Sequence, residues 1–301
     1  MAERVVNVEG VSIWTETFGD GADIPILLIM GASVQSIFWP DELIERLVQA
    51  GCFVIRFDNR DTGRSTCFDF AEHPYTLDDM ALDAVGVLDA YDVEAAHVAG
   101  LSMGGMITQV MMIEHHQRLK SAALIMTSPL SGGGSDSGQA GGESDVTLLA
   151  AEDLPGPDQA WVARATEWQT RIATTRGEKI QKRVDSLAMM MGPDEPFDEQ
   201  AKRALATREY DRALNYDAQD NHPLAIAMSK PSDRRRLLAK VDVPTLVIHG
   251  TEDPILPYPH GVSLADTIPG AKFYSLDGVG HDLAERCLAE VANQLIELQD
   301  R

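Results

Sequence analysis

The chain lacks the features of a membrane protein, a nucleic-acid binder or a disulfide-stapled scaffold. No apolar run approaches the ~20 residues that a membrane span requires. Met1-Ala2-Glu3-Arg4-Val5 does not lead into an apolar stretch with a small-residue cleavage site. Basic residues are scarce. The 25 Lys plus Arg stand against 47 Asp plus Glu, a formal net charge of -22, which repels phosphate backbones and anionic lipid. Neither nucleic acid nor a membrane is an expected partner. Cysteine is rare too: Cys52, Cys67 and Cys287 are odd in number and widely spaced, in a chain too large to need disulfide staples. Reduced thiols and, by default, a cytoplasmic location are expected. His97, His115, His116, His222 and His260 offer no pair with metal-ligand spacing backed by nearby Asp or Cys. They read as structural or exposed, and no metal is expected.

What is present describes an α/β protein. At 301 residues, 44% hydrophobic and 24% charged, the chain can bury a sizeable core as one large domain, with or without a smaller insertion. The first fifteen or so residues alternate around Glu9-Gly10 and predict an antiparallel hairpin at a sheet edge. Ile26 to Met30, Phe53 to Phe57, His97 to Gly100, Ala122 to Met126, Thr245 to His249 and Lys272 to Leu276 are short apolar runs, read as strands buried on both faces. Helical patterns over Asp41 to Gln49, Leu77 to Leu88 and Met103 to His115 fall between several of them, predicting a mostly parallel, doubly wound sheet.

The alternation breaks between Ser131 and Lys240, where no convincing buried strand is found. A Gly/Ser-rich stretch from Ser131 to Asp145 reads as a flexible loop. Helices are predicted over Gln159 to Arg176, Lys179 to Met190 and Glu199 to Leu214. The expected organisation is a core of residues 1–130 and 241–301 with a helical cap, 131–240, over the sheet's C-terminal edge, the usual ligand site of such folds.

The strongest local signal is His97-Val98-Ala99-Gly100-Leu101-Ser102-Met103-Gly104-Gly105, a strand ending in G-x-S-x-G that runs directly into a helix. A serine on such a turn is strained, and the flanking glycines remove side chains that would collide. Its Oγ then projects into the cleft. The Ser102 amide is expected to point with the helix N-terminus, whose free N–H groups favour developing negative charge.

A serine hydroxyl needs a hydrogen-bonded base, and the base an orienting acid. Thr251-Glu252-Asp253-Pro254 follows one predicted strand, and Asp277-Gly278-Val279-Gly280-His281 the next. Both loops lie at the same sheet edge, so His281 is the expected base, with Asp253 or Glu252 as acid. A second oxyanion donor opposite Met103 is expected from Gly31-Ala32-Ser33, through the Ala32 amide. Arg56 to Ser65 is dense in charge and reads as a hydrogen-bonded turn supporting that loop. Met189-Met190-Met191, Trp161 and Trp168 are candidates to line an apolar cap pocket, where Met adapts to irregular ligands. Packing between cap helices is an equal alternative for them.

Together these residues resemble the α/β-hydrolase superfamily and, within it, the bacterial esterases related to aclacinomycin methylesterase. The similar stretches include Leu27 to Gly31, Trp39 to Glu42, Val54 to Thr66, Val98 to Val110 and Val243 to Pro257. The resemblance implies Ser102, Asp253 and His281 as a catalytic triad, with Asp253 rather than Glu252 as acid. It also implies Ala32 and Met103 as oxyanion donors, Gly31 beside the substrate, a small-molecule ester as substrate, and no cofactor. Ala32 stands where those esterases carry Gly, keeping the amide but adding a methyl to the acyl site. The cap aligns with nothing, so the natural ester is left open, as is monomer or homodimer. A carbon–carbon bond hydrolase, a cofactor-free perhydrolase or a non-catalytic receptor would use the same fold.

Overall fold

The structure is a computed structural model and describes residues 1–131 and 153–299. Its strands are β1 (Ala2–Val8), β2 (Val11–Phe18), β3 (Ile24–Ile29), β4 (Cys52–Phe57), β5 (Ala96–Leu101), β6 (Leu119–Ile125), β7 (Thr245–Gly250) and β8 (Lys272–Leu276). They form one sheet in the order β1-β2-β4-β3-β5-β6-β7-β8. β1 and β2 pair antiparallel at the edge, as their alternation predicts, and β2 joins β4 antiparallel. Every pairing from β4 to β8 is parallel. The hairpin turns at Glu9 and Gly10, both at positive φ, the two-residue turn that matches strand twist.

Side chains of the buried strands alternate between the two faces. Leu27 and Ile29 of β3 pack with Leu77, Val87 and Ile107, residues of α2 (Leu77–Ala90) and α3 (Met103–Glu114). Ile26 and Leu28 pack with Leu43, Leu47, Val291 and Leu295, residues of α1 (Asp41–Gln49) and α10 (Leu288–Gln299). The sheet is thus covered on both sides, which is why its central strands read as unbroken apolar runs. β8 departs from that expectation. Lys272 and Ser275 are exposed and Phe273 and Tyr274 only half-buried, because β8 is the last strand and has a neighbour on one side only.

The chain moves outward from β3 to β4, then returns to place β5 on the other side of β3. Loops leaving β3 and β5 therefore diverge and open a crevice between them, the usual ligand position in such sheets. Gly31 and Ser102 follow those two strands.

Between β6 and β7 lie α4 (Gln159–Thr170), α5 (Arg176–Met190), α6 (Glu199–Arg212), α7 (His222–Met228) and α8 (Arg235–Leu238). α9 (Pro259–Thr267) follows β7. Among the described residues the insertion contains no strand; Asp233 forms an isolated antiparallel bridge with Leu130. The Gly/Ser-rich stretch beyond Ser131 falls outside the described residues. Helices α5 and α6 share a small cluster of Ile180, Val184 and Ala206, while Ala225 and Leu238 join the main core. α4 stops at Thr170 rather than at Arg176. A capping box at Thr175 and Glu178 begins a separate helix there, satisfying two otherwise orphan amide donors.

Candidate active site

Ser102 adopts φ 56 and ψ -119 at the N-cap of α3, a left-handed conformation costing about 1–3 kcal/mol for a non-glycine residue. Surrounding hydrogen bonds hold it there. Its N–H donates to Ile125 O at 2.9 Å, and its carbonyl accepts from Thr127 Oγ1 at 2.7 Å. The first of these corrects an expectation: the Ser102 amide continues the pairing of β5 with β6 and is not free to bind negative charge. Met103 is the first residue of α3, so its N–H is among those without an intrahelical partner. The glycines are required by close approach. A Cβ on Gly104 would stand 2.1 Å from Ile29 O, and one on Gly100 2.1 Å from Gly104 O.

Ser102 Oγ lies 2.9 Å from His281 Nε2, and His281 Nδ1 lies 2.6 Å from Asp253 Oδ2. The Asp253 side chain is fully buried, and its other oxygen accepts the Ile255 and Leu256 amides, each at 2.9 Å. Burial pushes this carboxyl up, but the neighbouring His281 and His249 imidazoles and the Leu256 amide together hold it below the ordinary value. An ionised carboxylate only accepts, so Nδ1 of His281 carries the proton and Nε2 is left to accept the Ser102 hydroxyl proton. Glu252 is exposed, with only its amide tied inward, to Val279 O; of the two carboxylates it is Asp253 that meets His281.

A second buried imidazole borders this acid. His249 Nε2 donates to Leu256 O at 2.7 Å and lies 3.6 Å from Asp253 Oδ2. Burial lowers its pKa and keeps it neutral.

Opposite Ser102, a Cβ on Gly31 would come within 3.1 Å of Ser102 Cβ; the loop after β3 therefore touches the serine. Ala32 follows, half-buried. The charged turn beyond β4 supports this loop. Asn59 Nδ2 donates to Met30 O at 3.0 Å, and Asp58 Oδ1 accepts from Ser36 N–H and Oγ. Four of its five charges are paired, Arg56 with Glu16, Arg60 with Asp83, Asp58 with Arg212 and Arg64 with Glu3, while Asp61 accepts the Phe68 amide and the Tyr75 hydroxyl, each at 2.6 Å.

The apolar candidates divide. Met189 and Met190 are half-buried at the end of α5, and the Met190 carbonyl accepts the His281 amide at 2.6 Å. Met190 thus meets the site through its backbone. Trp161 is buried in the first turn of α4, whose N-cap residue Asp158 donates its amide to Pro254 O beside Asp253. Trp168 is engaged elsewhere: its Nε1 donates to Lys182 O, with the Lys182 ammonium 4.6 Å from the ring centroid. That ties α4 to α5. The sequence reading missed His222 and Arg183, which hydrogen-bond the Ser33 amide and carbonyl at 2.9 and 3.1 Å, and the Met190 carbonyl. Their partners lie about a hundred residues away or more, and no local pattern marks them.

The alpha/beta hydrolase fold family matches residues 24–285. The chain belongs to that family. Rhodomycin D methylesterase DauP of Streptomyces sp. (strain C5) is 37% identical to this α/β-hydrolase over 290 residues, covering 94% of this chain and 93% of its own. Rhodomycin D methylesterase DnrP of Streptomyces peucetius matches with the same identity and coverage. Among solved structures, the esterase EaEST from Exiguobacterium antarcticum superposes with a TM-score of 0.75 at 18% identity, covering 100% of both chains. At that identity the likeness concerns the fold. No helix among the described residues is long and apolar enough to cross a membrane.

Proposed function

We propose that this chain is a serine esterase that hydrolyses a small-molecule carboxylic ester through an acyl-enzyme. The observation that carries the reading is the unbroken hydrogen-bonded chain from Ser102 Oγ through His281 to buried Asp253. The two methylesterase relatives support an ester as substrate.

In this reading His281 Nε2 takes the Ser102 proton as Oγ attacks the ester carbonyl, while Asp253 holds the ring and stabilises the imidazolium. The Ala32 and Met103 amides receive the oxyanion. Collapse of the tetrahedral intermediate breaks the C–O bond, and His281 returns the proton to the departing alcohol. A water molecule, deprotonated by the same imidazole, then attacks the acyl carbon and releases the acid and free Ser102. Proton and acyl group are both accounted for by the chain and water, so no cofactor enters the scheme. Residues 131–240 act as a cap on a catalytic core of 1–130 and 241–301.

The test is turnover of a panel of p-nitrophenyl and methyl esters by wild type and Ser102→Ala. Hydrolysis that the substitution reduces by at least about 10³-fold supports the reading. Wild-type hydrolysis that survives in Ser102→Ala, or none on any ester, overturns it.

A further inference from the structure

Ser33, two residues beyond Gly31, is held in a left-handed conformation at φ 57, strained for a residue with a side chain. Each of its three polar groups is tethered. The N–H donates to His222 Nδ1 at 2.9 Å, Oγ donates to Gln219 O at 2.8 Å, and the carbonyl accepts from Arg183 Nη2 at 3.1 Å. Every one of these partners belongs to the insertion between β6 and β7. The next residues follow suit, with Gln35 Nε2 donating to Glu209 O at 2.8 Å.

The partners are themselves preset. His222 is fully buried, and its Nε2 faces the carbonyl of Arg60 at 2.7 Å. A carbonyl only accepts, so Nε2 carries the proton and Nδ1 is left as an acceptor aimed at Ser33. Arg183 spans two acceptors: its guanidinium grips Glu209 through Nε and Nη2, both at 2.8 Å, and the same Nη2 reaches Ser33 O. Arg183 and Glu209 are both buried, where a fixed fork holds its geometry.

We propose that His222 and Arg183 are positioning residues for the oxyanion loop: the inserted helices hold Ser33 in its strained conformation and so aim the adjacent Ala32 amide at the substrate oxygen. The inference rests on the assignment of Ala32 as an oxyanion donor in the esterase reading. It makes the insertion part of the machinery that stabilises the transition state, in addition to anything it does in admitting substrate. Such an interaction acts mainly on kcat, because the oxyanion exists only once Ser102 has attacked.

Three variants test it on the best p-nitrophenyl ester, with Ser102→Ala alongside. In His222→Asn the side-chain oxygen falls near Nδ1, keeping an acceptor for Ser33. In His222→Gln the amide reaches the Nε2 side and keeps the Arg60 contact but leaves Ser33 without its partner. Arg183→Lys keeps the charge opposite Glu209 but not the fork that also reaches Ser33. Removing a whole oxyanion donor costs about 10²–10³ in kcat, and misaiming one costs less. The expected losses in kcat are therefore about 10–100-fold for His222→Gln and about 3–10-fold for Arg183→Lys, with KM within about 3-fold of wild type. His222→Asn should recover kcat to within about 3-fold. Equal losses in His222→Asn and His222→Gln, or wild-type kcat in both His222→Gln and Arg183→Lys, overturn the proposal. If His222→Gln does not fold, Arg183→Lys decides: a kcat loss with unchanged KM supports the proposal, and wild-type kcat or a rise in KM alone overturns it. Turnover persisting in Ser102→Ala would instead overturn the esterase reading itself.

Discussion

The backbone carbonyl of Met190, the last residue of α5, accepts the amide of His281 at 2.6 Å. The imidazole that meets Ser102 is thus aligned by a helix of the insertion, through a contact that carries no side-chain identity. Lys202 of α6 adds an ion pair to Asp282 at 2.6 Å, immediately after the histidine. The loop bearing His281 and the loop after β3 are both braced by the same inserted segment.

The Met190 contact requires glycine at 280. A Cβ there would stand 2.2 Å from Met190 O and 2.5 Å from Gly192 N, so Gly280→Ala must push α5 and the histidine loop apart. We expect a loss of about 1–3 kcal/mol in stability from the overpacking and at least about 10²-fold in kcat from the displaced imidazole. Chemical denaturation and steady-state kinetics check this together. A variant with wild-type kcat would show that the contact does not align the base.

Asp253 and Glu252 are adjacent in sequence but differ in burial. Asp253→Asn removes the carboxylate that fixes the Nδ1–H tautomer and should lower kcat by about 10⁴-fold. Glu252→Gln alters an exposed side chain and should leave kcat within about twofold. The reverse order, read from the same ester assay, would transfer the acid role to Glu252.

His97 is buried with Nδ1 2.8 Å from Ser121 Oγ, and burial, with a smaller contribution from Lys120, pushes its pKa down from 6.5 to about 4. Between those values the unfolded chain binds a proton that the folded chain does not. Stability from this site is therefore complete above about pH 6.5 and is lost as pH falls towards 4. His97→Asn keeps a polar partner for Ser121 without the titration. Melting temperatures at pH 7, 6 and 5 should fall more in wild type than in the variant; the acidic surface is common to both and cancels. Parallel curves would refute the assignment.

Arg56 and Glu16 form a buried pair at 2.6 Å, and Arg56 Nη1 also donates to Trp39 O at 3.3 Å. Arg56→Met leaves Glu16 buried without its cation and should cost about 3–5 kcal/mol, whereas Arg56→Met with Glu16→Leu should recover most of that loss. Urea unfolding of both variants separates the cost of an orphaned charge from the worth of the pair. Equal destabilisation in single and double variants would contradict it.

Most of the fold was legible because it is written in local patterns. The bounds of α1 and β8 agree with their apolar periodicity to the residue, and G-x-S-x-G between a strand and a helix marks Ser102 without reference to anything distant. α10 carried a readable signal as well, with Leu288, Val291, Ala292, Leu295 and Leu298 buried at helical spacing, although the reading above did not extend to it. The burial of β8 was misjudged because composition does not say which strand ends a sheet. Between β6 and β7 the three predicted helices are found as α4, α5 and α6, but how they pack was not legible, since they share only the small cluster of Ile180, Val184 and Ala206 and are joined by charge pairs such as Arg183 with Glu209 and Arg176 with Asp211.

Sequence alone determined the strand-to-helix turn that carries Ser102, the strands around it, and the order in which Asp253 and His281 return to one sheet edge. Those depend on periodicity and on glycine spacing, which act over a few residues. Tertiary structure decided between Asp253 and Glu252 by burial, sent the Ser102 amide to Ile125 O rather than towards substrate, and brought His222 to Ser33 across 189 residues. Hydrogen bonds of that kind are made by common side chains and by backbone atoms. Their partners are chosen by where the helices come to rest on the sheet, and no stretch of sequence around either residue encodes that position.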